Sequence, residues 1–413
     1  MKKRVLFILG RYYPKASPNS ICAHNVIELL PKDKFDIEIL CYDDGLEYTG
    51  NYSVTKVSRG FLLSELYRRE QDKNQYIFKL LKKIQKIRDG LFIPIWPWVD
   101  PIFTYKVYKA AVKLYKEAPF DYVVSVHMPL SSVIVGDRLK KKYPSIRHIP
   151  YFLDSLSGGI PLSLFSKEWN IKKKLKWEER LLPDSDKIVV MESSREHHEE
   201  HSSGFDYFSK FVFLDIPLLK FQSEGKIDNP YLKKYDKCIN ITFCGSAIQP
   251  MRDMHYFSCL AKHIAIMDER IKFHIIGACN CVELIHSNNV VCYGEMPHDS
   301  VIPYIRNADV LLNFGVKTPS AISGKIFEYM SYAKPIISTF SIDNEACIPY
   351  LKKYPCSLMI DERDNNYQIQ AEQVIEFVNQ VKGFIGSKEI ITSTYVNNLP
   401  ETFVSHVFDG EIT

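Results

Sequence analysis

Short apolar segments alternate with longer helical patterns along the whole chain, and this alternation limits the fold more than any other feature of the sequence. The apolar segments are nearly continuous, as strands covered on both faces of a sheet require. In the first half of the chain they are Val5–Gly10, Phe35–Tyr42, Tyr122–His127, His148–Asp154 and Lys187–Glu192. Such strands, separated by helices, predict a parallel sheet with helices on both faces.

A second series of the same kind follows a stretch rich in charged and turn residues, 218–237. Its apolar segments are CINITFCG, KFHIIG, VVCYG, VLLNFG, PIISTF and SLMID, with helices beginning near Arg252 and Gly324. We therefore predict an α/β chain of two tandem Rossmann-like doubly wound domains that face each other across a cleft. The predicted domains are residues 1–217 and 238–388, joined by the linker 218–237 and followed by a tail, 389–413, that packs back on them.

Composition narrows the functional classes. With 413 residues the chain exceeds the size of one hydrophobic core, about 250–300 residues. Its formal net charge of +4 is too small and dispersed for the concentrated basic surface of a nucleic-acid-binding protein. No apolar run approaches the roughly 18 residues that span a bilayer, and Val5–Gly10 is too short for a secretory signal. Ten cysteines without CxxC pairs, several inside apolar strands, favour a reducing cytoplasm.

The segment Ala308–Ser338 carries the most informative pattern. A buried strand runs into a loop that ends in Ser323, Gly324 and Lys325, and a helix follows at once. Ser323 is placed to cap this helix, glycine lets a ligand approach the backbone, and the first turn with Lys325 suits a diphosphate. Glu328 lies on the same face one turn further on, where a carboxylate can hold ribose hydroxyls. An ordinary capped helix with a solvated Lys/Glu pair fits these residues equally well.

The run ADVLLNFG...SGKIFEYMSYAKPII resembles the donor-site signature of family 4, or group 1, of the GT-B glycosyltransferases. The resemblance implies a GT-B fold, a nucleotide-sugar donor bound mainly by the second domain, and an acceptor bound by the first. The family carries two glutamates with seven residues between them; Glu328 matches the second, and Ser320 stands where the first is found. Since the first glutamate contacts the transferred sugar in the family, Ser320 leaves the identity of that sugar open.

The segment ITFCGSAIQPMRDMHYF resembles the start of the family's second domain, where an arginine after the glycine and a lysine six residues later grip the donor phosphates. Here Ser246 follows Gly245 in place of the arginine, and Arg252 stands where the lysine is found. Arginine suits this role because its planar guanidinium binds phosphate oxygens through two parallel hydrogen bonds. The alternative is a solvated charge at a helix start.

The segment VVCYGEMPHDS resembles the family loop whose backbone surrounds the nucleotide base. The residues that this resemblance makes candidates are Gly294, Glu295 and Met296. A plain strand-to-helix turn would also require the glycine, so this alternative stays open.

Three residues of the first domain are candidates for the acceptor side. His127 ends the strand YVVSVH, and a side chain at such a strand end projects into the ligand crevice of the sheet. In the family a histidine there lies against the transferred sugar. Asp154 closes the next strand and is a candidate for positioning the acceptor hydroxyl or acting as a base, although aspartate is also a common turn residue. Gly10 opens the loop after the first strand, which in the family closes over the acceptor and the donor phosphate.

The segment Lys79–Trp98 combines five cations with an apolar stripe and two tryptophans. Basic amphipathic stretches that carry tryptophan and phenylalanine bind anionic membrane interfaces, which would suit a lipid-linked acceptor at the cytoplasmic face. An ordinary surface helix followed by a packed Pro/Trp loop gives the same pattern.

No metal site is predicted. The run HHEEH at 197–201 fits the pattern of inverted zinc peptidases, but its place after a buried strand of a doubly wound domain favours a solvated helix face. GT-B enzymes, moreover, typically need no bound metal. The sequence also has no G-x-G-x-x-G after its first strand, which weakens a dehydrogenase interpretation.

Together these features predict a hexosyltransferase-type glycosyltransferase (EC 2.4) that moves a sugar from a nucleotide-sugar donor to a glycan or lipid-linked acceptor. The resemblance implies bacterial surface polysaccharide synthesis, a retaining outcome, and no cofactor beyond the donor. His127, Asp154 and Glu328 are the predicted catalytic residues. A degenerate nucleotide-sugar-binding or scaffold protein of the same fold, motivated by Ser320, and a nucleotide-sugar epimerase are the alternatives.

Overall fold

The chain divides into two compact units, Met1–Pro217 with Pro400–Thr413, and Leu218–Leu399. The computed structural model describes residues 2–69, 75–159, 161–221, 227–249, 251–280, 285, 287–317 and 322–408. Ser320, the position of the missing family glutamate, lies outside the described residues.

The strands of the described residues follow the predicted apolar segments closely. They are β1 (Lys3–Ile8), β2 (Phe35–Tyr42), β3 (Ser53–Val57), β4 (Tyr122–Val126), β5 (Arg147–Phe152), β6 (Ile188–Met191), β7 (Phe211–Leu214), β8 (Ile239–Cys244), β9 (Ile271–Ile276), β10 (Val290–Gly294), β11 (Val310–Asn313), β12 (Ile336–Phe340) and β13 (Ser357–Asp361). The predicted strands are therefore confirmed, with boundaries that differ by one or two residues.

The helices lie between these strands. They are α1 (Pro18–Leu29), α2 (Phe61–Arg68), α3 (Gln75–Leu91), α4 (Pro101–Glu117), α5 (Leu130–Lys142), α6 (Lys167–Leu181), α7 (Arg195–His201), α8 (Met254–Met267), α9 (His298–Asn307), α10 (Lys325–Ser331), α11 (Ile348–Lys353), α12 (Tyr367–Gln380), α13 (Lys388–Thr394) and α14 (Pro400–Val407). No helix of the described residues combines the length and the apolar composition needed to cross a bilayer.

The sheet of the first unit has the order β3-β2-β1-β4-β5-β6-β7, and each pair of neighbouring strands is parallel. Val5 of β1 pairs with Ile37 of β2 on one side and with Tyr122 of β4 on the other. The strand order therefore reverses between β1 and β4. In sheets of this class ligands bind outside the carboxyl ends of the strands at such a reversal.

The sheet of the second unit is also parallel and has the order β10-β9-β8-β11-β12-β13. Its strand order reverses between β8 and β11. The predicted α/β class with two doubly wound sheets is confirmed, and each sheet has its own ligand-binding reversal point.

Two strands, β3 and β7, were not predicted from the sequence. They are the outermost strands of the first sheet, and most of their residues are only partly buried. The segment of β3, SVTKV, mixes polar and apolar residues, so it lacks the continuous apolar run that revealed the other strands, and β7 has only four residues.

The C-terminal helix α14 packs into the core of the first unit. Phe403, Val404, Val407 and Phe408 are buried there against residues of the first sheet and α1. The Phe403 ring lies 4.6 Å from the Tyr151 ring, between centroids. Helix α13, in contrast, belongs to the second unit.

The carboxyl ends of β8 and β9 approach each other so closely that a side chain has no room. A Cβ on Gly277 would lie 2.1 Å from the carbonyl oxygen of Gly245, and Gly277 has a φ of +128°. Gly245 N donates to Ile276 O, and Gly277 N donates to Gly294 O, so three neighbouring strand ends are joined in a row. Glycine at these ends keeps bare backbone at the open edge of the sheet.

We expect Gly277→Ala to lower the stability of the protein by about 2–4 kcal/mol, because the new methyl group collides with backbone at an unfavourable φ. Urea unfolding measures the loss. Gly90→Ala is the matched control, since no atom lies within 4 Å of its added Cβ and it stands inside α3. The control should be neutral or stabilising by up to about 1 kcal/mol; equal midpoints for the two variants would contradict the steric argument.

Candidate functional site

The reversal point of the second sheet brings together residues from two separate segments. Gly245, Ser246 and Arg252 follow β8, while the loop after β11 leads to α10 with Lys325 and Glu328. Lys317 of that loop donates its backbone N–H to Met251 O and pairs with Asp253 at 3.1 Å. The segments after β8 and β11 are therefore tied to each other directly.

Arg252 is held in a fixed position beside the end of β8. Its guanidinium lies 5.3 Å from the centre of the Phe243 ring and donates a hydrogen bond to Ser246 O. Burial lowers the pKa of Arg252, while Tyr329, Cys347 and Glu345 interact with it electrostatically in the opposite sense. A partly buried arginine near bare strand-end backbone is a suitable group for an anion.

The cap of the helix after the β11 loop lies one residue later than predicted. Gly324 is the N-cap residue of α10 and makes no side-chain capping bond, so the prediction that Ser323 caps this helix is wrong. Ser323 instead donates its backbone N–H to the Cys347 sulfur at 3.2 Å. The loop is thus fixed by a contact with a distant segment, which no local capping pattern could show.

Lys325 and Glu328 contact each other in the structure. Lys325 Nζ lies 2.6 Å from Glu328 Oε2, and both side chains are partly exposed. The adjacent Tyr329 is fully buried; its hydroxyl accepts from Cys244 N at 2.8 Å and lies 3.3 Å from Cys244 O. Tyr329 therefore fixes α10 to the end of β8, which places the Lys325–Glu328 pair at the edge of the sheet. This tyrosine was not predicted from the sequence.

The residues after β10 lie on the same edge of the sheet. Gly294 has a φ of +73° and ends β10 at an irregularity in its pairing with β9. Gly294 and Glu295 are exposed, and Met296 is half-buried. Their backbone is thus accessible at the strand end, where the predicted contact with a base would occur.

A buried carboxylate beneath this edge was not predicted. Glu345 is 2% exposed, and neither of its carboxylate oxygens has a hydrogen-bond partner within the described residues. A Cβ on Gly315, two residues after β11, would lie 2.8 Å from Glu345 Oε2. Burial raises the pKa of Glu345 to about 7, and the nearby backbone of Val316 and the charge of Arg252 oppose this rise. A lone glutamate in a loop gives no sequence signal for such burial.

In the first unit, Gly10 and His127 lie at the reversal point between β1 and β4. Gly10 follows β1, and a Cβ on it would lie 2.9 Å from Met128 O, so the two strand ends are in close contact. His127 is 5% exposed, and its Nδ1 lies 3.0 Å from Asp154 O. Burial lowers the pKa of His127 to about 4, so the imidazole is neutral near pH 7. With Nδ1–H donating to the carbonyl, Nε2 is left as an acceptor.

The Asp154 side chain is exposed, but the loop behind it is firmly anchored. Ser157 N donates to the buried carboxylate of Glu178 at 2.8 Å, and Lys174 Nζ donates to Gly159 O at 2.8 Å. Burial raises the pKa of Glu178 to about 7 and lowers that of Lys174 to about 8. Helix α6 thus positions the loop that carries Asp154, a role that the sequence analysis did not find.

The HHEEH run is not simply a solvated helix face, as had been expected. His198 is buried and lies 3.1 Å from Ser155 Oγ, and His197 Nε2 lies 2.9 Å from Ser157 Oγ. The loop after β5 folds over α7 and covers these two rings. Among the described residues, no group of three or more histidine, cysteine, aspartate or glutamate side chains is arranged to hold a metal ion.

Solved structures with the same fold cover nearly the whole chain. HepE of Anabaena, in complex with UDP and glucose, has a TM-score of 0.60 and 12% identity, covering 98% of this chain and 99% of its own. Sucrose-phosphate synthase of Thermosynechococcus elongatus has a TM-score of 0.58 and 12% identity over the same shares. WaaB, a lipopolysaccharide outer core galactosyltransferase, has a TM-score of 0.51 and 15% identity, covering 98% of this chain and 99% of its own. The chain therefore has the fold of the GT-B glycosyltransferases.

The family model "Glycosyl transferases group 1" matches residues 239–380, which contain the complete second sheet. The chain is thus a GT-B protein whose second unit is similar to the group 1 glycosyl transferases over these residues, in agreement with the resemblance found in the sequence. A comparison of the whole sequence with curated proteins gives no match.

We expect Glu345→Gln to change the pH dependence of stability. Because the pKa of Glu345 is raised to about 7, its neutral form contributes stability at low pH that is lost as the pH rises from about 4.5 through 7. Glutamine does not ionise, so the variant does not lose stability in this way. Between pH 5 and 7.5 its free energy of unfolding, measured with urea, should therefore rise relative to that of the wild type by roughly 1–3 kcal/mol. Glu372→Gln, an exposed site on α12, should show no such trend; parallel curves for all three proteins would refute the burial effect.

Proposed function

We propose that this protein is a glycosyltransferase that moves a sugar from a nucleotide-sugar donor to a glycan or lipid-linked acceptor. The observation that carries the proposal is the convergence of Arg252, Lys325 and Glu328 on the reversal point of a sheet that matches the group 1 family model. HepE, which shares the fold, binds UDP and glucose. Bacterial surface polysaccharide synthesis in the cytoplasm, a hexosyl donor and a retaining outcome complete the proposal, and all three derive from the family resemblance.

The second unit supplies the donor chemistry in this proposal. Breaking a glycosidic bond to phosphate leaves negative charge on the departing diphosphate, and fixed cations near that charge lower the barrier. Arg252 and Lys325 are the cations, and the backbone at Gly245 and Gly324 permits close approach. Glu328 holds the ribose hydroxyls, which requires its carboxylate to share or leave its contact with Lys325. Ser246, Ser323, Gly294, Glu295 and Met296 contribute backbone contacts, and Ser320, in place of the family glutamate, is assigned to the transferred sugar by the resemblance alone.

The first unit supplies the acceptor chemistry. The neutral His127 accepts a hydrogen bond from a sugar hydroxyl through Nε2, because Nδ1 is engaged by the Asp154 carbonyl. The exposed Asp154 carboxylate positions the acceptor hydroxyl. Gly10 allows the close contact with Met128 O and opens the loop that closes over the acceptor in this scheme. No metal is required in this scheme, since fixed cations neutralise the leaving group.

A thermal-shift series with UDP, GDP, ADP and their sugars tests the donor site. One nucleotide should stabilise the protein; at a concentration 100-fold above Kd, binding adds about 2.7 kcal/mol. Arg252→Ala and Glu328→Ala should abolish the shift. The matched controls are Arg270→Ala, whose exposed guanidinium pairs with Asp268, and Glu372→Ala on α12. If both site variants keep the wild-type shift, the site assignment is wrong.

Release of nucleoside diphosphate then separates the enzyme from its alternatives. The proposal predicts release that depends on acceptor and a product whose anomeric configuration, read by proton NMR, equals that of the donor. Binding without release in the presence of acceptor would favour a degenerate binding or scaffold protein, which Ser320 in place of the family glutamate motivates. Interconversion of donor sugars without any acceptor would favour an epimerase.

We further propose that α3 contacts an anionic membrane surface. Its apolar residues remain exposed: Leu80 by 49%, Ile84 by 43%, Ile87 by 69% and Leu91 by 76%. Their spacing of four, three and four residues places them on one face of the helix. The exposed lysines of the same helix are Lys79, Lys82, Lys83 and Lys86. Binding to an anionic membrane needs two contributions. Apolar side chains enter the interface, and cations beside them contact the lipid phosphates.

We expect Ile84→Asp and Ile87→Asp to weaken sedimentation with phosphatidylglycerol/phosphatidylcholine vesicles at least tenfold, because each buries a charge in the interface. Raising the salt to 0.5 M should weaken binding of the wild type as well, by about tenfold or less, since screening acts on the lysines. Ile266→Asp is the control, as Ile266 is 84% exposed on α8 of the other unit. Equal sedimentation of all three variants would rule out α3 as the contact.

A further inference from the structure

The first unit contains a cavity that none of the residues discussed so far lines. Its volume is about 310 Å³, which lies in the range of small-ligand pockets, about 300–1,000 Å³. It opens between α1, the loop after β1 and the connection from β2 to β3. The residues that line it are Tyr13, Pro14, His24, Glu28 and residues 47–52.

Aromatic rings form most of the apolar wall. The Tyr13 ring lies 4.7 Å from the His24 ring, and Tyr52 lies 6.0 Å from the same histidine on the other side, between centroids. Tyr48 packs on the buried Tyr12 at 5.7 Å. These rings offer both apolar faces and hydroxyl groups, which suits a ligand with one apolar and one polar surface.

Two glutamates, Glu28 and Glu47, are the acidic residues that line the cavity. The hydroxyl of Tyr12 lies 2.7 Å from His24 Nδ1, and His24 Nε2 lies 3.4 Å from Glu28 Oε1. A buried tyrosine hydroxyl that donates to Nδ1 leaves Nε2–H to donate to Glu28, so this chain of contacts orients the Glu28 carboxylate. Glu47 lies in the exposed connection opposite. Ionised carboxylates accept hydrogen bonds only, and each offers two oxygens to hydroxyl donors.

The charge of the lining excludes some ligand classes. Two carboxylates repel phosphates and other anions. Lys32 Nζ lies 5.8 Å from the Tyr52 ring, so a cation of the protein already occupies the neighbourhood of that ring. Apolar ring faces opposite hydrogen-bond acceptors fit a neutral sugar, whose C–H groups pack on the rings and whose hydroxyls donate to the carboxylates.

The loop after β1 connects this cavity to the candidate acceptor site. At its start Gly10 packs against Met128 O, and Tyr13 and Pro14 then form part of the cavity wall. Just beyond the loop, Asn19 Nδ2 donates to His127 O at 3.1 Å. One short segment therefore borders both places, which is the arrangement expected when two units of one ligand bind side by side.

We propose that this cavity binds a neutral monosaccharide unit of the acceptor glycan, other than the unit that receives the transferred sugar. That the bound saccharide is part of an acceptor rests on the proposed glycosyltransferase function. The binding of a saccharide in this cavity, in contrast, requires neither donor nor turnover. It makes the second saccharide unit a determinant of which acceptor is used.

Saturation-transfer NMR on the full chain tests the cavity without any nucleotide, using the methyl glycosides of glucose, galactose and N-acetylglucosamine. At least one glycoside should receive saturation, and Glu28→Ala and Glu47→Ala should each weaken its binding at least fivefold. Glu117→Ala, an exposed glutamate of α4, is the matched control. Both site residues are exposed, so folding is expected to be intact, and circular dichroism verifies it.

In a transfer assay the same two variants should raise the KM for a disaccharide acceptor at least fivefold while leaving donor hydrolysis unchanged. Absence of saturation for all three glycosides, equal signals in the site and control variants, or displacement of the sugar by tetramethylammonium would each overturn the proposal. If the wild type binds none of the nucleotides, the proposed function is wrong, whereas the saccharide-binding result is unaffected.

Discussion

Burial of both faces of each sheet is the constraint on which the rest of this structure depends. All five residues of β4 and all six of β8 are buried, so the central strands leave no exposed face for a polar group. Charged groups that act on a ligand are therefore accommodated at the strand ends, where loops lead into helices. His127 follows β4 and Arg252 follows β8 for this reason. The reversal of strand order then separates the loops on either side and leaves space between them.

Close backbone contacts give these strand ends their shape. Gly277 against Gly245 in the second unit and Gly10 against Met128 in the first each bring main chain within van der Waals contact of main chain. The edge that results is formed by peptide groups rather than by side chains, and a ligand can approach it closely. Side chains that must act there come from further along the chain, as Arg252 and Glu328 do. Tyr329 and Phe243 hold them in place from below.

Much of the fold was predictable because its signals are local. The continuous apolar runs identified the central strands of both sheets, and the SGKIFEYM segment identified α10 to within one residue of its start. The edge strand β3 was missed because SVTKV is not a continuous apolar run, and β7 was missed although it is apolar, since it has only four residues. The predicted cap at Ser323 was wrong because a contact with Cys347 competes for that segment, and the two come from different parts of the chain. His198 was expected at a solvated face, but the loop after β5 covers it.

The sequence by itself determined the two parallel sheets, their alternation with helices, and the placement of His127, Arg252, Lys325 and Glu328 after particular strands. It could do so because hydrophobic periodicity and turn residues are properties of residues close together in the chain. Only the tertiary structure decided what surrounds those residues. It placed the buried Glu345 beneath Arg252, anchored the Asp154 loop on Lys174 and Glu178, and enclosed a cavity between α1 and the connection from β2 to β3. These contacts join segments far apart in the chain, and they form only when strand pairing and helix packing bring those segments together, which no local pattern encodes.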